Sequence, residues 1–183
     1  AAALAIAWAA SNFIWLTAGA QPAIKGAAAG ADAAARVTAI ADAYLAAYFQ
    51  NFPEWETLYR IEGAKHDRLR DNTAAGRAAW QAVEDDLIAK LASVRVADLG
   101  GSAAVTYEVL REQLESSRQA RVCRNENWAV DQVWGWQIAL GELADVQPVG
   151  TAEERARALA RWQQLHRFID AETRNLAEGL RAG

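Results

Sequence analysis

Only three prolines, Pro22, Pro53 and Pro148, interrupt 183 residues that are otherwise rich in alanine. Proline breaks a helix interior because it lacks the N–H and crowds the preceding turn, whereas alanine is the best helix former. A chain punctuated so rarely favours long helices over a many-turned β fold. The hydrophobic spacing agrees. From about Asp32, the positions Val37, Ile40, Ala41, Tyr44, Leu45, Tyr48 and Phe52 recur at three- and four-residue steps, as one helix face requires, and Pro53 ends the run.

The stretch from Glu54 to Asn72 keeps no period and reads as an ordered loop with a helical turn. A second helix is expected from Asn72 or Thr73, either of which can cap it, past Trp80, Val83, Leu87 and Leu91, with Gly76 weakening its first turns. After Gly100-Gly101, Ser102 is the expected cap of a third helix that turns Tyr107, Leu110 and Leu114 inward. A fourth spans about Val130 to Ala144. The fifth opens on Thr151-Ala152-Glu153-Glu154, a capping box in which hydroxyl and carboxylate each satisfy a free backbone donor. Its expected core stripe is Leu159, Trp162, Leu165, Ile169, Leu176 and Leu180, still running when the chain stops, so the domain reads as incomplete at its carboxyl end. The fold class is therefore all-α, with about five helices over residues 32–183.

Ahead of this domain, residues 1–24 carry no charge and lead through Leu4, Ile6, Trp8, Phe13 and Trp15 to Ala18-Gly19-Ala20. An apolar core followed by an A-x-A pattern is the order of a signal peptide, here read as residues 1–20 and truncated of its basic beginning; an uncleaved membrane anchor is the alternative. Residues 21–31 read as a flexible linker. Export to the periplasm or the exterior is the expected localisation. The formal charge of −4 gives no basic excess for phosphates, so nucleic acid is excluded as a partner, and a membrane enters only through the amino-terminal segment.

Catalytic chemistry is sparse. The two histidines, His66 and His166, have no second histidine nearby, and one cysteine, Cys123, builds neither a disulfide nor a thiolate zinc site. Cys123 lies between Arg121 and Arg124, but no base can be assigned to it, and a half-buried helix-end cysteine is the simpler reading. The chain has no nucleophile elbow, no phosphate loop and no dinucleotide fingerprint. Asp85-Asp86 and Glu153-Glu154 read as solvent-facing and capping carboxylates rather than an acid and base pair. The densest segment is 121–138, where Trp128, Trp134 and Trp136 follow Arg121, Arg124, Asn125, Glu126 and Asn127. Tryptophan suits a packed core or a cleft wall, so Arg121, Arg124, Glu126 and Trp128 are the substrate-facing candidates.

The ordered motifs Phe52-Pro53-Glu54-Trp55, His66-Asp67-Arg68-Leu69-Arg70-Asp71-Asn72, Arg121-Val122-Cys123-Arg124-Asn125-Glu126, Gly135-Trp136-Gln137, Gln147-Pro148-Val149-Gly150-Thr151 and Ala158-Leu159-Ala160-Arg161-Trp162 carry a resemblance. In order and spacing they resemble the amino-terminal part of the bacterial domain-of-unknown-function 885 family (DUF885), over roughly residues 40 to 182. That resemblance implies a longer, largely helical parent, exported or lipid-anchored, similar to zinc metallopeptidases and acting on a peptide or small-molecule substrate. It places the metal motif, a His-Glu pair with a further His and a later Glu-Gly-Trp segment, far downstream. None of these occurs here, so no zinc ligand or catalytic base is carried over, and zinc is expected only in the full-length parent. Two readings follow: an amino-terminal, cleft-forming fragment of an exported zinc peptidase, or a self-contained helical binding module with a Trp-rich pocket.

Overall fold

A computed structural model describes residues 20–133 and 135–183. Residues 1–19, all but the last of the segment 1–20 read above as a signal peptide, and Trp134 lie outside the described residues. The described residues form helices joined by loops and no strand, with α1 Ala20–Asn51, α2 Pro53–Leu58, α3 Ala74–Ala92, α4 Gly101–Ala120, α5 Trp136–Val146, α6 Ala152–Trp162 and α7 Leu165–Ala182. Short 3-10 turns stand at Val96–Asp98, Arg121–Cys123 and Asn125–Trp128. No described helix is long and apolar enough to cross a membrane.

The elements begin and end where local chemistry dictates. The Thr73 hydroxyl accepts from the Gly76 N–H at 3.2 Å and opens α3. At α6 the capping box is complete: Thr151 Oγ1 accepts from the Glu154 N–H at 3.1 Å, and Glu154 Oε2 accepts from the Thr151 N–H at 2.8 Å. Pro53 starts α2, so the aperiodic stretch does begin with a helical turn. Two boundaries differ from expectation. Gly100 rather than Ser102 is the residue before α4, and α5 starts six positions later than Val130, at Trp136.

Helices α1, α3 and α4 pack on one another. Their shared interior is apolar: Val37 and Ile40 from α1, Leu87 and Leu91 from α3, and Tyr107, Leu110 and Leu114 from α4. These are residues the helical period selects, with the correction that Leu45 of α1 and Val83 of α3 face solvent. A second, smaller apolar cluster joins Leu69, Leu143 and Phe168, with Trp136, Leu140, Trp162 and Leu165 packed beside it.

Three expectations are overturned. Residues 21–31 are not a flexible linker, since α1 runs through them. The last helix is two, broken between Trp162 and Leu165, because Gln164 is drawn to the loop before α3: its carbonyl oxygen accepts from the Leu69 N–H at 3.2 Å and its amide donates to Asp67 O at 2.9 Å. Most consequential, the stripe Leu159, Ile169 and Leu180 is exposed, Leu159 by 60% and Leu180 by 83%. The face turned inward is instead Ala158, Arg161, Phe168, Ala171, Glu172, Asn175 and Gly179. Nor does α7 lie along α1: it packs on the Asn125–Trp128 turn, where a Cβ on Gly179 would stand 2.6 Å from Asn127 O, so only glycine permits that approach.

Candidate functional site

The buried face of α6 and α7 carries Arg161, Glu172 and Asn175, and the bonds these side chains make go to the 66–77 segment, Arg77 included, and to Gln147. Arg161 is wholly buried; its Nε donates to Arg68 O at 2.9 Å and its Nη1 to Gln147 Oε1 at 2.7 Å. Gln147 in turn donates to His66 O at 3.1 Å. Farther along, the Asn72 amide donates to both Phe168 O and Glu172 Oε1, each at 2.9 Å, while Asn175 Nδ2 donates to Asn72 O at 3.1 Å. Arg77 adds donors to Asn72 O at 2.7 Å and Asn175 Oδ1 at 3.0 Å. Buried polar groups are tolerated when bonded in this way.

The Asn72, Arg77, Glu172 and Asn175 part of this network floors a cleft of about 410 Å³, within the usual range of ligand sites. One wall is aromatic, Phe52 and Trp80, whose ring centroids are 5.2 Å apart and nearly perpendicular. Behind them stands Tyr48, 6.1 Å from Trp80, whose phenol is pushed up to about 12 chiefly by burial. The floor is Asn72, Gly76, Arg77, Glu172 and Asn175, and the far rim is Arg121, Asn125 and Glu126. Gly76, which costs α3 some helix propensity, is required here: a Cβ would collide with Asp71 O and the Asp71 side chain.

Two of the four sequence candidates meet in the cleft and two do not. Arg121 lines it and is bound on its outer side: Nη1 donates to both oxygens of Asp85 at 3.0 Å, and Nη2 to Glu84 Oε2 at 3.0 Å and Gln81 O at 3.2 Å. Burial opposes the charge on this guanidinium, but Asp85 and Glu84 outweigh it, and the Arg121 bond holds the Asp85 carboxyl below its ordinary range. Glu126 also lines the cleft, 2.7 Å from Arg124 Nε and 3.7 Å from Arg77 Nε. Burial would raise its carboxyl; the Arg124 bond, a backbone N–H and Arg77 together depress it. Arg124 itself reaches away, to Glu178 at 2.8 Å, from a left-handed backbone at φ 47° that a non-glycine residue seldom adopts. Trp128 is 59% exposed and lies outside the cleft lining.

The cleft residues that sequence reasoning missed are Trp80 as a wall and Asn72, Glu84, Glu172 and Asn175 as buried polar groups. Glu84 sits beside Asp85-Asp86, yet it alone of the three is buried, accepting from Ser117 Oγ at 2.5 Å as well as from Arg121. The available signal was the polar run Glu172, Asn175, Gly179 at helical spacing, hidden beneath the louder apolar stripe of the same helix.

The described residues do not suit a zinc centre. No group of three or more His, Cys, Asp or Glu is gathered among them for a metal. His66 Nδ1 is taken by Thr57 Oγ1 at 2.8 Å, His166 is a surface residue beside Asp170, and Cys123, expected half-buried, is exposed.

The comparisons with known proteins place the chain. The model of the family described as bacterial protein of unknown function, DUF885, matches residues 53–183, and the chain belongs to that family. No curated protein and no solved structure matches it.

Proposed function

We propose that this DUF885 member forms one wall of the substrate cleft of an exported, zinc-dependent peptidase whose metal and catalytic groups lie outside this chain. One observation carries the reading. Two buried atoms of the residues lining the cleft have no partner, the donor Arg121 Nε and the acceptor Glu172 Oε2. A peptide group presents a C=O to the first and an N–H to the second, and buried polar atoms are costly until so paired. The bonded asparagines hold the floor, and the Phe52 and Trp80 rings offer a side chain an apolar face. Export rests on the uncharged segment 1–24 and its Ala18-Gly19-Ala20 end.

The test is titration of the whole chain with acetyl-trialanine-amide, followed through tryptophan fluorescence and the side-chain amide resonances of Asn72 and Asn175. Saturable binding with shifts at these amides, and no cleavage of the peptide with or without added zinc, is the expected result. Absence of saturable binding at millimolar peptide would sink the reading. A second reading, a helical interaction module, draws on the exposed Trp128, Leu159 and Leu180, and would be favoured if a partner protected these side chains while the cleft stayed silent.

A further inference from the structure

We infer that the cleft selects ligands bearing a positively charged group, an alkylammonium or a guanidinium, and that Glu172 receives it. The inference rests on the reading of this cleft as a substrate site and narrows the substrate class. Glu172 is only 3% exposed, and its Oε1 accepts from Asn72 Nδ2 at 2.9 Å while its Oε2 has no partner. No lysine, arginine or histidine among the described residues stands within ion-pair distance of it.

The other carboxylates of the lining are already answered. Glu84 accepts from Ser117 and Arg121, Asp71 from the Thr73 N–H, and Glu126 from Arg124. The arginines of the lining have partners of their own: Arg77 donates to Asn72 and Asn175, Arg121 is bound through Nη1 and Nη2 to Asp85 and Glu84 with only Nε unpaired, and Arg70 lies over the Phe168 ring, 5.6 Å from its centroid. A carboxylate buried beside neutral amides with one oxygen unpaired gains most from a ligand that brings both charge and N–H donors. Phe52 and Trp80 line the same cleft, and aromatic faces attract cations. A volume of about 410 Å³ accommodates a lysine or arginine side chain, or a peptide amino terminus, with its neighbours.

The experiment titrates the chain at constant ionic strength with n-butylammonium chloride, its neutral analogue 1-butanol and sodium propionate, reading the Asn72 and Asn175 amide resonances. Butylammonium should bind about tenfold more tightly than butanol, the scale of one hydrogen bond to a charged group, and shift the Asn72 amide. In Glu172→Gln, whose carbonyl oxygen can still accept from Asn72, that preference should vanish. Should the variant fail to fold, the ammonium-to-alcohol ratio on the unaltered chain decides alone. Equal binding of amine and alcohol, a preference that survives in folded Glu172→Gln, or binding of propionate in place of the amine each overturns the proposal. Failure here is separable from failure of the peptide reading. Acetyl-trialanine-amide binding without ammonium preference removes the cation site alone, whereas ammonium binding without peptide binding upholds the cation site and removes the peptide reading.

Discussion

Around Val37, Leu87 and Leu114 the interior is hydrocarbon packed on hydrocarbon, whereas around Arg161, Asn72 and Asn175 it is a set of hydrogen bonds between side chains and backbone remote in sequence. The same kind of helix serves both regions. In the first, burial follows the apolar period and would tolerate another apolar residue of similar volume. In the second, burial follows the availability of partners: Arg161 is inside and Leu159 outside because Arg68 O and Gln147 stand opposite the former. An apolar region stabilises without direction; a bonded one fixes register, and it is the bonded one that shapes the cleft.

The sharpest way to break this contrast is at Arg161. Arg161→Ala leaves Arg68 O and Gln147 Oε1 without their donor and opens a cavity, and should cost about 4 kcal/mol in a denaturant titration. A variant as stable as the parent would mean that desolvation of the guanidinium cancels its bonds, and the second region would then be held by Leu69, Leu143 and Phe168 together with the Asn72 and Asn175 bonds. The counterpart in the first region is Leu114, fully buried. Leu114→Ala should cost about 3 kcal/mol through lost burial and the cavity left behind, while leaving the Asn72 and Asn175 amide resonances in place. A shift of those resonances would show the two regions to be one cooperative packing unit rather than two.

The smallest effect separates the regions by pH. His66 belongs to the bonded region, and its pKa is lowered, first by burial and then by the Arg161 charge. A histidine with a folded pKa below its unfolded value contributes stability that is present above the unfolded pKa, about 6.5, and is lost as pH falls through the folded pKa. Stability should therefore decline on mild acidification, and His66→Gln should flatten that decline; an unchanged slope in the variant would place the acid sensitivity elsewhere.

Much of the fold was legible because its determinants are local. Thr73 caps α3, Thr151 and Glu154 form their box, and Pro53 separates α1 from α2, each within a few residues of its partner. Leu87 and Leu91 of α3 and Tyr107, Leu110 and Leu114 of α4 were legible for the same reason, because hydrophobic spacing marks the inner side of a helix. The cleft was half legible. Arg121 and Glu126 stand out in sequence as charges beside tryptophans, but nothing local separates Glu84 from Asp85-Asp86, or Glu172 and Asn175 from the polar residues around them.

By itself the sequence determined the helical class, most helix boundaries, the apolar region between α1, α3 and α4, and membership of the family, because all of these depend on residues close together or on period. Tertiary structure alone decided that α6 and α7 are two helices, that Arg161, Glu172 and Asn175 turn inward, and that a buried carboxylate with one unpaired oxygen belongs to the lining of a cleft. The physical reason is distance along the chain. Asn72 meets Phe168, Glu172 and Asn175 across roughly a hundred residues, and a polar side chain can be buried only once such a partner is in place.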